Sequence, residues 1–332
     1  KMKTLNNISF EINNLLMNNP LWLVDVGASG GIHPRWRNLT SYLKCILFEP
    51  DLKEYENLLN KNKDEIIINS ALSDKVENIE FNICNKQEVS SVYLPNYDLI
   101  NKFPDTKDFP RNRFNIVKKI EMKTDTLSNQ LKLNNISEVD FIKIDVQGYG
   151  LSVLKGSIEN LSNTIGLEIE VEFLEIYKNQ PLFNKVDSFI QKHHFQLYDI
   201  KRYYWKRNDY EGTGNQRGQL VMGDALYLKN PEQIMKIPDI NTNKIIRSIC
   251  IYLCYGYIDL AQTLLKYSYE QKLINNQINE KTKSLISKCK RSNLTPLPYF
   301  KGKRTIGNIF KKISDMFMID GPYTGTDQNL GN

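Results

Sequence analysis

Three acidic residues stand where chemistry would be done, and each closes a short, largely apolar run: Asp25 after Leu21-Trp22-Leu23-Val24, Glu49 after Cys45-Ile46-Leu47-Phe48, and Asp145 after Phe141-Ile142-Lys143-Ile144. Apolar runs with no room for a polar face read as strands buried on both sides, as central parallel strands do. Asp25 is followed by Gly27, Ser29, Gly30 and Gly31, and glycines there let the backbone take positive φ and approach a ligand closely. Glu49 follows about twenty residues later, where a carboxylate can accept from both hydroxyls of a ribose. Positions 29 and 32 are Ser and Ile, so the dinucleotide fingerprint fails; no Lys-Ser/Thr pair follows, so a P-loop is excluded as well. An acidic residue ahead of the glycines favours an adenosine ligand carrying a positive amino group, and S-adenosylmethionine is such a ligand. A buried strand and tight turn without a ligand is the competing reading.

A fourth set of carboxylates, Glu168, Glu170 and Glu172, alternates along the apolar segment Thr164 to Phe173. Alternation places them on one face of a strand, where unpaired buried charge is costly. They therefore mark a polar active site or a salt-bridged strand end.

The elements that must hold these residues alternate in type. After the glycine loop, His33-Pro34-Arg35-Trp36 opens a helix expected to reach about Leu43, and Asp51 to Asn60 is amphipathic with Leu52, Tyr55, Leu58 and Leu59 inward. Ile66 to Leu72 reads as a third buried strand, so the chain starts as a doubly wound α/β fold. Ile79 to Cys84 and Phe114 to Lys123 read as strands around a long insertion, Ser90 to Arg111, the length of either a binding lid or a disordered segment. Within it Tyr93 and Tyr97 could offer an apolar face to a sugar or ring. Thr124-Asp125-Thr126-Leu127 begins a capped helix, and Phe195 to Tyr204 and Gln219 to Leu228 close the sheet around a basic, glycine-rich link containing Arg207 and Arg217.

The chain has 332 residues, 41% hydrophobic and 25% charged, which is a globular composition with room for a proper core. Its formal charge of +6 is concentrated: from Lys229 onward there are 16 basic and 8 acidic residues. Five scattered cysteines argue against a disulfide framework and for a reducing interior. Cys250 and Cys254, one helical turn apart with no histidine nearby, read as packing residues rather than a zinc site.

These segments together resemble the FkbM family of S-adenosylmethionine-dependent methyltransferases. The resemblance covers most of Leu21 to Lys229. It rests on Val24-Asp25-Val26-Gly27-Ala28, Phe48-Glu49-Pro50, Thr124-Asp125-Thr126-Leu127, and Asp140-Phe141-Ile142-Lys143-Ile144-Asp145-Val146-Gln147-Gly148 with Leu154-Lys155-Gly156. Glu170-Val171-Glu172-Phe173, Tyr177, Gln180-Pro181-Leu182-Phe183 and Arg217-Gly218-Gln219 to Asp224-Ala225-Leu226 match one branch. The resemblance implies a Rossmann-like sheet of seven strands with the last antiparallel, and methylation of a hydroxyl, often on a sugar of a glycan or natural product. Gln147 and Gly150 stand where members commonly carry Glu. The loss at Gly150 is the best argument for the alternative, a nucleotide-binding or scaffold protein without turnover.

On this reading residues 1–20 form a helical segment, 21–229 the methyltransferase domain, and 230–332 a basic helical extension. The expected cofactor contacts are Asp25, Gly27, Ser29, Gly31, Glu49, Ser70 and Ala71. The expected acceptor contacts are Tyr93, Tyr97, Gln147, Arg207 and Arg217. The proton of a poorly acidic hydroxyl must be managed either by a base or by a divalent cation such as magnesium. Asp145 is the first candidate for both roles and His33 a second base; Glu168 and Glu170 could add metal oxygens beside Asp145. A catalytic part that is not basic argues against nucleic acid.

Beyond Lys229 the pattern is helical. Ile245 to Tyr267 is strongly apolar, but its longest uncharged run, Ser248 to Ile258, is about half of the roughly 20 residues that span a bilayer, so the segment reads as a helical hairpin turning near Gly256. Between Thr305 and Ile319, Ile306, Ile309, Phe310, Ile313, Met316 and Phe317 recur at helical spacing among Lys301, Lys303, Arg304, Lys311 and Lys312. Docking onto the protein's own core is the first reading of that helix, and peripheral contact with an anionic membrane the second. The expected location is cytoplasmic, free or membrane-peripheral.

Overall fold

The computed structural model describes residues 15–17, 19–28, 31–37, 42–61, 64–105, 110–207, 218–290, 300–317 and 324–326. The main sheet contains β1 (Leu21–Val26), β2 (Leu43–Phe48), β3 (Ile66–Ile68), β7 (Phe141–Ile144), β8 (Gly166–Glu172), β9 (Gln196–Trp205), β10 (Gln219–Leu228) and β11 (Thr324–Thr326). Their spatial order is β11-β9-β10-β8-β7-β1-β2-β3. Strands β3, β2, β1, β7 and β8 pair in parallel. β10 runs antiparallel between β8 and β9. Seven of these strands match the sheet expected from the sequence, including the antiparallel last strand; β11 adds an eighth along the edge of β9.

The central strands are buried on both faces, and their alternation sorts the core in two. Val24, Val26, Ile142, Ile144, Leu167 and Ile169 face one layer, which holds α2 (Leu127–Leu133), α3 (Gly150–Lys155) and α4 (Phe183–Lys192). α1 (Leu52–Lys61) precedes β3 and buries only Leu58, while Leu52 and Leu59 are exposed, against the expected inward face. The Thr126 hydroxyl accepts the Asn129 N–H at 3.1 Å, so the expected cap on α2 is present.

Leu21, Leu23, Phe141, Leu226 and Leu228 face the other layer, where they meet Ile245, Ile249, Leu264 and Leu285. That layer is supplied by α5 (Thr242–Cys254), α6 (Ile258–Glu270) and α7 (Asn276–Lys290). The chain turns between α5 and α6 at Gly256, whose φ of 84° is the left-handed conformation that glycine adopts at least cost. Thus the helices beyond Lys229 cover a whole face of the sheet. All five cysteines are free, and Cys250 is fully buried among its apolar neighbours.

The run from Ile66 to Leu72 is not one strand: it leaves the main sheet at Asn69, whose side chain donates to the carbonyls of Glu49 and Pro50 at 2.9 and 3.1 Å. The continuation, β4 (Ala71–Leu72), joins β6 (Ile116–Asp125) and β5 (Asn78–Cys84) in a second sheet of order β4-β6-β5. The helix opened at His33 is described only as the turn Pro34–Arg37, and residues 38–41 lie outside the described residues, as do 1–14 of the N-terminal segment. The insertion after β5 is folded where described: Ile100, Phe103 and Phe114 join Val89, Tyr177, Trp205 and Val221 in a satellite core that roofs the carboxyl ends of β8 and β9 and the amino end of β10.

Candidate active site

The carboxyl ends of β1, β2 and β7 converge where chain order reverses between β1 and β7, the usual ligand position in open α/β sheets. Gly27 turns the chain there with φ 80° and donates its N–H to the Phe48 carbonyl at 3.1 Å. A Cβ on Gly27 would lie 2.0 Å from the Asp145 carbonyl oxygen, so glycine is required by the close approach of β7 as well as by the turn. Gly31 follows with φ 81°. Ser29 and Arg217 lie outside the described residues.

Glu49 ends β2 almost fully buried, with Oε1 accepting the Asp51 N–H at 3.0 Å. Burial pushes its carboxyl up to about 7. Ser70 and Ala71 stand beside it at the crossover from the main sheet to the second one. A buried carboxylate with one oxygen held by the backbone, above a glycine turn, is a donor set that fits an adenosine with a ribose hydroxyl pair on the other oxygen.

Asp25 is arranged differently from its expected place against a ligand amine. It is 2% exposed, and Lys143 on the neighbouring strand donates to its Oδ1 at 3.1 Å. Register explains the pairing, because Asp25 lies directly opposite Lys143, which in turn lies opposite Glu168. Burial raises the Asp25 carboxyl while Lys143 pulls it down. Lys143 also stands 3.8 Å from Asp145, so one cation holds two carboxylates at the mouth of the site.

Asp145 is the accessible one: its side chain is 44% exposed and Oδ1 accepts from Gln147 Nε2 at 3.2 Å. The Gln147 amide also donates to Glu170 at 2.9 Å, and its Oε1 lies 3.2 Å from the Tyr177 hydroxyl. Gln147 takes φ 47° and Gly148 φ 84°, which swings this amide over β8. Beyond it opens a cavity of about 280 Å³ whose lining includes Gln147, Glu170, Glu172, Tyr177, Tyr203, Tyr204 and Trp205.

Glu172, buried, and Glu170, half-buried, face that cavity. Glu170 is raised well above the ordinary range by burial and then by Asp145 and Glu172. Glu172 is pushed up to about 8 by burial first and the charge of Asp145 next. A folded-state value above the unfolded one means that the stability Glu172 contributes is complete below the unfolded value, roughly 4.3, and is lost as pH rises through 8. Glu172→Gln is therefore expected to flatten the fall of stability between pH 5 and 8. Thermal melts of parent and variant over that range measure it, and parallel curves would refute the assignment.

Several expected site residues do other work. His33 Nδ1 accepts the Arg35 N–H at 3.2 Å, which leaves the ring proton of the neutral form on Nε2. Burial lowers its pKa against the opposing charge of Glu168, and with Nδ1 occupied by the Arg35 N–H the ring caps the turn. The proposed metal set of Asp145, Glu168 and Glu170 is also corrected. Among the described residues no three His, Cys, Asp or Glu side chains come together to hold a metal ion. Glu168 is taken by the Tyr255 hydroxyl at 2.8 Å and Glu170 by Gln147.

Tyr97 donates to the Phe114 carbonyl at 3.0 Å, and Tyr93 packs edge-on to Tyr149 at 5.8 Å, so both build the roof rather than line the cavity. Arg207 joins Gln219 at 3.2 Å and lies over the Phe103 ring. The sequence assigns no site role to Lys143, Tyr177, Tyr203, Tyr204 and Trp205. Lys143 and Tyr177 stand in the matching motifs and Glu172 in the alternating set with Glu168 and Glu170, whereas Tyr203, Tyr204 and Trp205 carry no such signal.

Gly150 also has a structural reading. A Cβ there would meet Ile169 Cδ1 at 2.9 Å and Ile144 Cγ2 at 3.5 Å, so a side chain at this position enters the core between β7 and β8 and not the cleft.

A five-strand parallel sheet with an antiparallel strand inserted near its edge, a glycine turn after β1 and an acid ending β2 defines a Rossmann-like methyltransferase. The chain belongs to the FkbM methyltransferase family: the model of the methyltransferase FkbM domain matches residues 25–197, more than half of the chain. Curated proteins give no match. Solved structures similar to it include precorrin-6y C5,15-methyltransferase from Geobacter metallireducens, with 9% identity over 67% of this chain and 87% of that one at a TM-score of 0.34. Magnesium protoporphyrin IX methyltransferase from Synechocystis with bound SAM has 8% identity over 68% and 80% at 0.30. M. capricolum TrmK in complex with S-adenosyl-homocysteine has 10% identity over 85% and 96% at 0.29. Likenesses this distant carry nothing about the reaction.

Proposed function

We propose that this protein transfers a methyl group from S-adenosylmethionine to a hydroxyl of a sugar. The observation that carries the reading is the division of the site around Asp145: the glycine turn and Glu49 lie over β1 and β2, the cavity lies over β8 to β10, and Asp145 stands between them. The donor's adenosine would be held by Glu49 and the loop through Gly27 and Gly31, with Ser70 and Ala71 beside the base. When bound it supplies a sulfonium methyl open to in-line displacement.

The cavity suits a polyhydroxylated ring. Tyrosines and a tryptophan give flat apolar surface, and Glu170 and Glu172, whose carboxyls burial shifts toward the neutral form, offer groups that can donate as well as accept hydrogen bonds when protonated. Asp145 is the carboxylate exposed enough to reach an acceptor hydroxyl and take its proton as the methyl leaves sulfur. Lys143 and Gln147 fix its two oxygens. The satellite core of the insertion roofs this end of the cleft. The case for a protein without turnover loses its main support, since Gly150 faces the core.

The test has two arms. Calorimetry with S-adenosylmethionine should show binding that Glu49→Ala weakens by about 2 kcal/mol, the value of hydrogen bonds to a charged group. Because ribose hydroxyls favour the ionised form of a carboxyl that burial holds near 7, affinity should rise between pH 6 and 8. In the second arm, labelled donor is incubated with mono- and oligosaccharides and the product is analysed by NMR. A new O-methyl group supports the reading; a methyl on nitrogen or carbon, or no donor binding, removes it.

A further inference from the structure

The helix α8 (Lys303–Phe317) departs from the first sequence reading, in which its apolar stripe covered the protein's own core. Ile306, Ile309, Phe310 and Ile313 are 45%, 52%, 68% and 45% exposed, and Phe300 just before the helix is 40% exposed. The spacing i, i+3, i+4, i+7 puts the four helical residues on one face. An apolar face of that size left open to water needs a partner.

We infer that α8 binds the surface of an anionic lipid bilayer and holds the acceptor cleft against it. Charge complementarity selects this occupant: Lys301, Lys303, Arg304, Lys311 and Lys312 fall on or beside the helix, against Asp315 within it and Asp320 just beyond it. Basic residues flanking an apolar stripe are the pattern of helices that lie in the plane of a membrane interface, the stripe at the acyl boundary and the cations among anionic headgroups. No helix among the described residues is long and apolar enough to cross a membrane, so the contact is peripheral.

The position of the helix gives the contact a purpose. Seven residues after Phe317, Thr324 pairs with Trp205, and β11 runs along Tyr203 to Trp205, three residues that line the cavity. Seven residues of chain reach at most about 25 Å. A bilayer bound to α8 therefore lies close to the cleft, which would favour acceptors displayed at a membrane surface. That last step rests on the proposed sugar acceptor, whereas the lipid binding does not.

Flotation of the full chain with vesicles of phosphatidylcholine containing phosphatidylserine, and with pure phosphatidylcholine vesicles, tests it. Binding to the anionic vesicles should exceed binding to the neutral ones by about tenfold or more at low salt and fall as salt rises. Ile309→Glu with Phe310→Glu should abolish flotation while leaving donor binding and the melting temperature unchanged, since these side chains face solvent. Lys301→Glu with Arg304→Glu should weaken it about tenfold. Protein that does not float at low salt, or a double variant that floats like the parent, overturns the inference. So does a dimer in sedimentation velocity that the Ile309→Glu, Phe310→Glu variant dissolves, because a second copy would then be the occupant.

Discussion

Replacing Asp140 with alanine is expected to cost about 3–5 kcal/mol of stability, the range for removing one partner of a buried ion pair. Asp140 is fully buried just ahead of β7 and accepts from Lys244 Nζ at 2.7 Å, Arg247 Nε at 3.1 Å and the Trp22 N–H at 2.9 Å. Arg247 also binds Asn19 and Glu138. The network fastens α5 to the start of β1 and β7, so it ties the helical layer to the sheet. Without Asp140, two cations remain in the interior with their largest counter-charge gone. Burial already pulls Lys244 down, and Asp140 is what opposes it. Urea unfolding of Asp140→Ala measures the loss; adding Lys244→Met should restore part of it, as coupled sites do. A variant as stable as the parent would show that the network contributes nothing.

The same motif holds a second acid at the opposite end of β7. Asp145→Asn is expected to lower kcat by about 10²–10⁴-fold, the usual share of a general base, with donor affinity and melting temperature close to those of the parent. The substitution is nearly isosteric and the side chain is partly exposed, so the fold has little to lose. Single-turnover transfer from saturating labelled donor separates the chemical step from binding. Unchanged kcat would exclude Asp145 as the base. Five residues of extended chain, about 16 Å, thus separate an acid that secures the fold from one proposed to do the chemistry.

Much of this arrangement is legible without coordinates. The apolar runs before Asp25, Glu49 and Asp145 fix three parallel strands and put those acids at their carboxyl ends, because a strand buried on both faces tolerates polarity only where it emerges. Thr126 announces the start of α2, and Gly256 the turn between α5 and α6, since caps and left-handed turns depend on the few residues beside them. These are local properties, written in consecutive positions.

What the tertiary structure decided is how distant positions meet. That Lys143 neutralises Asp25 depends on strand register; that Asp140 is a structural pin depends on a helix more than a hundred residues further along. The cavity takes Glu170 and Glu172 from β8, Tyr177 from the loop after it, and Tyr203 to Trp205 from β9, and no spacing in the chain brings those together. The sequence identifies α8 as amphipathic, yet whether its stripe is covered was decided only by the packing of everything else. Periodicity states which face of an element is apolar, and burial depends on what the rest of the chain leaves to lie against that face.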